Sequence, residues 1–164
     1  MGSETAYLTI MGRYTWALLN SYYAVLRGTS LRPTVIYVFS EEIFRDQVET
    51  VKKGLALISE AYDVQPEIHV EMLASSNIQD ACQKIPKTVH DLKARGFQVA
   101  LDITPGRKAL ITGALLSSRD DLDHVYYLAI SSVEDADKPY MMIPLLIQDL
   151  KDFKEAIVAC ERGM

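Results

Sequence analysis

A chain of 164 residues supplies one domain's worth of core, and 49% hydrophobic with 24% charged residues excludes a disordered or fibrous polypeptide. The net charge of −5 excludes the broad basic face of a sequence-indifferent duplex binder, but leaves room for a local basic pocket around a small anion. Two cysteines, Cys82 and Cys160, stand far apart without metal-ligand spacing, which points to a reduced, cytoplasmic setting. No apolar run reaches the ~18 residues needed to span a bilayer, and no signal-like segment opens the chain. Met1-Gly2-Ser3 resembles a cloning remnant, so an effector module or membrane tether is expected outside these residues, which read as a single domain over 1–164.

In chain order, Tyr7 to Ile10 is a short apolar run that reads as a strand. Tyr14 to Arg27 follows as a helix, with Trp16, Leu19, Tyr23 and Leu26 at spacings of three and four and Gly28 as its stop. That spacing allows Trp16 as an anchor of the core face and puts Asn20 and Ser21 on the surface. Thr34 to Phe39 is a continuous β-branched and aromatic run, the pattern of a strand buried on both faces. Ser40, followed by Glu41 and Glu42, reads as the cap of a helix over residues 43–62. Ile68 to Leu73 is a third strand. Ser75, Ser76 and Asn77 then read as the start of a helix from Ile78 to Ala94, in which Pro86 predicts a kink or break near Ile85. After Gly96, Phe97 to Ile103 is a fourth strand and Lys108 to Leu116 a short apolar helix. Val125 to Ile130 is a fifth strand, Ser132 to Pro139 an acidic linker, Tyr140 to Ile143 a sixth strand, and Gln148 to Glu161 a closing helix.

Strands alternating with helices predict an α/β fold, a Rossmann-like, mostly parallel sheet of about six strands flanked by helices. Ligands of such sheets bind outside the carboxyl ends of the strands. This rule selects the loops at Gly12 to Thr15, Ser40 to Glu42, Ser75 to Asn77, Thr104 to Lys108 and Ile130 to Ser132.

Thr104-Pro105-Gly106-Arg107-Lys108 carries the densest signal. Gly106 permits close backbone approach or positive φ, and Pro105 stiffens the turn before it. Arg107 and Lys108 stand at a helix N-terminus, where they oppose the macrodipole unless an anion arrives. The spacing fits neither a Walker A loop nor a dinucleotide glycine motif. Gly12, Arg13, Tyr14, Thr15 and Trp16 follow the first strand. Arg13 suits a phosphate, and the Trp16 ring suits either stacking on a base or the helix core. Ser40, Ser75, Ser76, Asn77 and Ser131 are weaker candidates for polar contacts, with helix capping the alternative for the first four. His69, His90 and His124 share no ligand spacing, and neither a metal nor a cofactor is expected. An ordinary nucleotide-binding or flavodoxin-like protein remains an alternative.

The stretch Asp102-Ile103-Thr104-Pro105-Gly106-Arg107-Lys108-Ala109 resembles the Asp-x-Thr-Gly-Gly-Thr-Lys type of motif of CARF domains, the CRISPR-associated Rossmann-fold sensors of cyclic oligoadenylates. It departs from the commoner pattern at Pro105 and Arg107. The resemblance implies a homodimer that binds a cyclic oligoadenylate, cyclic tetra-adenylate foremost, across its two-fold axis to control an effector in type III CRISPR antiviral defence. The alternative it implies is a metal-independent ring nuclease, in which a ribose 2′-hydroxyl attacks the neighbouring phosphate and Arg107, Lys108 and Arg13 stabilise the developing charge.

Overall fold

A computed structural model describes residues 4–74 and 78–163. The strands are β1 (Thr5–Ile10), β2 (Val35–Glu41), β3 (Glu67–Leu73), β4 (Gln98–Asp102), β5 (His124–Ile130) and β6 (Gln148–Asp152). The helices are α1 (Thr15–Gly28), α2 (Val48–Glu60), α3 (Ile78–Ala94), α4 (Lys108–Ser118) and α5 (Phe153–Arg162). The strands form one sheet in the order β3-β2-β1-β4-β5-β6; β1 to β5 pair in parallel, and β6 joins the edge antiparallel to β5. The α/β class and the mostly parallel sheet expected from the sequence are both present.

Strand alternation divides the core into two layers. Ala6, Leu8, Ile10, Val35, Phe39, Val99 and Leu101 pack against Ala81, Ile85, Val89 and Leu92 of α3 and Leu110 and Ala114 of α4. On the other face Tyr7, Ile36, Val38 and Ala100 meet Leu18, Leu19, Tyr22, Val25 and Leu26 of α1 and Val51 and Leu55 of α2. Each fully buried Leu- or Ile-sized side chain contributes about 1.5–3 kcal/mol. The central strands are thereby rigid, and their carboxyl ends make a fixed platform for the loops above them.

Four local expectations are corrected. Ser40 does not cap a helix: β2 continues through Glu41, which pairs with Leu73, and the Ser40 hydroxyl is fully buried and donates to the Glu41 carbonyl. The ladder gains more backbone hydrogen bonds than a cap there would, so Glu42–Gln47 forms a 3-10 turn and α2 begins only at Val48. Of the kink or break expected near Ile85, the break is excluded: α3 runs through Pro86, and its apolar face (Ile85, Val89 and Leu92) stays buried on both sides of it. Tyr140–Met142 is a 3-10 turn rather than a strand. The sixth strand is instead Gln148–Asp152, the stretch expected to open the closing helix, and it alternates half-buried and exposed residues with period two. Asp152 then starts α5 by accepting from the Lys154 N–H at 3.0 Å.

Candidate functional site

Two strands that run side by side but lead to opposite ends of the sheet create a crevice between their following loops. In this sheet they are β1 and β4. The loops after them are Gly12 to Tyr14 and Ile103 to Arg107, so the topology brings together the two segments that the sequence ranked highest.

Below the crevice lies a buried carboxylate. The β1–β4 register sets Thr9 beside Asp102, and alternation turns both toward α1 together with Tyr7. Asp102 is 0% exposed. Its Oδ2 accepts from Ser21 Oγ at 2.5 Å and Thr9 Oγ1 at 3.3 Å, while Oδ1 accepts from the Thr104 N–H at 2.9 Å. Thr104 Oγ1 in turn accepts from the Leu128 N–H at 2.9 Å. One carboxylate therefore ties β1, α1 and the mouth of the loop together, and the Thr104 hydroxyl carries the connection to β5. Burial raises the Asp102 carboxyl above the usual carboxylate range, against the opposing pull of these hydrogen bonds. Burial, and then the neighbouring Asp102 charge, push the Tyr7 hydroxyl well above its ordinary value.

This network overturns the surface assignment of Asn20 and Ser21. Both are buried, because α1 needs Ser21 over Asp102 and uses Asn20 to donate to the Lys138 carbonyl at 2.8 Å. Trp16 is displaced in the opposite sense. It is 44% exposed beside Tyr14 at 49%, since the core face of α1 is made by Leu18, Leu19, Tyr22, Val25 and Leu26. The core reading of Trp16 is excluded.

The two loops touch through glycine. Gly106 has φ +89°, and a Cβ built on Gly12 would stand 2.6 Å from the Gly106 backbone nitrogen. Gly12→Ala is therefore expected to overpack the junction at a cost of about 1–3 kcal/mol, roughly 2–4 °C of melting temperature per kcal/mol. Calorimetry checks this; an unchanged Tm would contradict the backbone contact.

Above the junction α4 begins, and the first backbone N–H groups of a helix have no intrahelical partner. Arg107 occupies its N-cap in an extended conformation with no side-chain cap bond, and Lys108 is its first residue. Arg107, Lys108, Arg13 and Ser131 are exposed, Thr104 and Gly106 are half-buried, and Gly12, Pro105 and Ser40 are buried. Thr15 Oγ1 donates to Gln47 Oε1 at 2.9 Å, tying the start of α1 to the 3-10 turn after β2. Ser75, Ser76 and Asn77 lie outside the described residues. The expected electrostatic conflict at Arg107 is partly relieved from within: its guanidinium donates to the carboxylate of Glu41, which is only 1% exposed. Glu41 is thus the partner of Arg107 rather than the helix-capping charge its place after Ser40 suggests. A carboxylate in phase with Val35, Tyr37 and Phe39 was the available signal, because β-alternation turns it into the core layer beneath α4.

The histidines lie elsewhere, paired as His69–Glu67 at 3.4 Å, His90–Asp121 at 3.6 Å and His124–Asp152 at 2.7 Å. Among the described residues His124, Asp152 and Glu155 gather their ligand atoms within 4.8 Å. They sit at the opposite end of the sheet, beside a cavity of about 600 Å³ lined also by Thr29 and Gln98, and Asp152 is already engaged as the α5 cap. This group is no part of the β1–β4 crevice.

No family model matches the chain, and no curated protein matches it. Solved structures do. Can2 from Sulfobacillus thermosulfidooxidans, in complex with cyclic tetra-adenylate, superposes with a TM-score of 0.57 at 13% identity over 76% of this chain and 32% of its own. A type III CRISPR defence DNA nuclease activated by cyclic oligoadenylate superposes at 0.60 with 16% identity, over 79% of this chain and 19% of its own. The chain thus spans a third or less of the length of these neighbours, and at such identities the likeness is one of fold. What is shared is a Rossmann-like α/β fold, in which the loop from Asp102 to Lys108 lies at the switch point of the sheet.

Proposed function

We propose that this domain is a sensor that binds a cyclic oligoadenylate at the β1–β4 crevice. The observation that carries the reading is the backbone contact between Gly12 and Gly106, which joins the Arg13 loop to the N-terminus of α4 at the switch point. Exposed N–H groups, Arg13, Arg107 and Lys108 there form a surface for phosphodiester groups. Tyr14 and Trp16, both exposed at its rim, suit stacking on adenine, worth about 1–3 kcal/mol per base in single-stranded recognition.

The two solved neighbours, one bound to cyclic tetra-adenylate and the other activated by a cyclic oligoadenylate, support this ligand class. A four-membered ring has two-fold symmetry, which matches a homodimer that brings two copies of the crevice around one ligand. Binding would then bias the arrangement of the two protomers and act on an effector elsewhere in the protein. No described helix is long and apolar enough to cross a membrane, so a membrane tether would require residues other than these helices.

Thermal shift with rings of three, four and six adenylates tests the reading, with the largest stabilisation expected for four. Prolonged incubation with cyclic tetra-adenylate, followed by chromatography, is expected to return the intact ring. Linear products at stoichiometric turnover or above would replace sensing with cleavage.

A further inference from the structure

The face of β2 that packs beneath α3 and α4 reads Val35, Tyr37, Phe39 and then Glu41. An ionisable residue thus occupies the last position of an otherwise apolar row. Glu41 Oε1 accepts from Arg107 Nη2, while Oε2 is closed off from solvent and has no hydrogen-bond partner among the described residues. A buried, unpaired carboxylate oxygen is costly and rare in a folded protein, and such local conflicts concentrate at functional positions. Arg107 itself stays 46% exposed, beside the open N-terminus of α4. Its guanidinium therefore lies between the buried carboxylate and the surface where a phosphate would arrive.

Resting on the phosphate-binding reading of this loop, we propose that Glu41 gates Arg107. In the unliganded protein the carboxylate competes with any incoming anion for the guanidinium. An anion that took Arg107 alone would leave Glu41 buried with neither counter-charge nor donor, which opposes the exchange. A ligand that opens the gate must offer two things together: a phosphate for Arg107 and a hydrogen-bond donor for the uncovered carboxylate. A nucleotide carries both, its donor being either the ribose 2′-hydroxyl or the exocyclic amine of the base. The gate thus selects nucleotides over simple polyanions, a selectivity that a basic helix N-terminus would lack.

Titration calorimetry of the wild type and Glu41→Gln tests this with inorganic pyrophosphate, cyclic tetra-adenylate, its 2′-deoxy analogue and cyclic tetra-inosinate, which lacks the exocyclic amine. The glutamine removes the competing charge, so pyrophosphate is expected to bind the variant at least fivefold tighter. The wild type is expected to bind one of the two modified rings at least tenfold more weakly than the parent, which identifies the donor. In Glu41→Gln that penalty shrinks to about twofold, because the neutral amide leaves no buried charge for the ligand's donor to cover. Pyrophosphate binding that is unchanged or weakened in the variant would overturn the gate and leave Glu41 a brace for Arg107. Equal wild-type affinity for all three rings would overturn it as well, with the sensor reading intact. Failure of the wild type to bind any ring removes both. Should Glu41→Gln not fold, the wild-type ring series decides by itself.

Discussion

Asp102→Ala is expected to destabilise the domain by about 3 kcal/mol, because it leaves a cavity under α1 and strips an acceptor from the buried Thr9 and Ser21 hydroxyls and from the Thr104 N–H at the mouth of the loop. In a domain of this size that corresponds to a fall of roughly 6–12 °C in Tm. Asp102→Asn keeps an oxygen for the Thr104 N–H and turns an amide toward Ser21 and Thr9, whose hydroxyls can reverse direction. Its cost is expected to be smaller, about 1 kcal/mol.

The two substitutions also separate charge from geometry. Burial raises the folded carboxyl above its unfolded value of about 3.9. The folded state therefore holds its proton more tightly, and that contribution is fully present below about pH 3.9 and is lost as pH rises through the raised folded value. Asn carries no such proton. The stability of the wild type relative to Asp102→Asn is expected to decline across that interval and level off above it. Urea unfolding at a series of pH values measures the difference; a wild-type advantage independent of pH would show that the carboxyl is not ionising in a buried site.

The fold was legible because its signals are periodic. Thr34 to Phe39 has the apolar continuity of a strand buried on both faces, and alternating strand and helix lengths leave few arrangements other than a parallel sheet. The Thr104 to Lys108 loop was legible because Pro, Gly and two basic residues meet where a strand gives way to a helix. What escaped was decided by partners distant in sequence. Ser21 reads as helix surface until β4 brings Asp102 beneath it, 81 residues away. Glu41 reads as capping charge until β2 runs two residues further than its apolar run and meets Arg107, 66 residues on. Gln148–Asp152 is short and polar enough to pass for the start of a helix, and only the open edge of β5 makes it a strand.

Arg107→Ala and Lys108→Ala should both abolish most ligand binding, yet their effects on the free protein are expected to differ. Removing Arg107 leaves Glu41 without its counter-charge. Breaking a fully buried pair costs about 3–5 kcal/mol, and partial exposure of Arg107 at 46% reduces this to about 1–3 kcal/mol. Lys108 is exposed at the start of α4, and its removal is expected to leave the Tm of the free protein within about 1–2 °C, since surface substitutions usually change stability by no more than about 0.5 kcal/mol. Each lost charge-assisted contact to phosphate should weaken binding by about tenfold to a hundredfold. Lys108→Ala is the cleaner probe, and combining Arg107→Ala with Glu41→Gln recovers stability without recovering binding. Melting curves with and without ligand separate the two effects.

The most direct measurement is the melting temperature of the wild type and of Lys108→Ala with and without cyclic tetra-adenylate. At a ligand concentration a hundredfold above Kd, binding to the folded state alone adds about 2.7 kcal/mol, which is roughly 5–11 °C. A shift of that size in the wild type, reduced to roughly 1–6 °C in Lys108→Ala at the same concentration by a tenfold to hundredfold loss of affinity, is the expected result. No shift in the wild type, or an equal shift in both proteins, would contradict a cyclic adenylate site at the Thr104 to Lys108 loop.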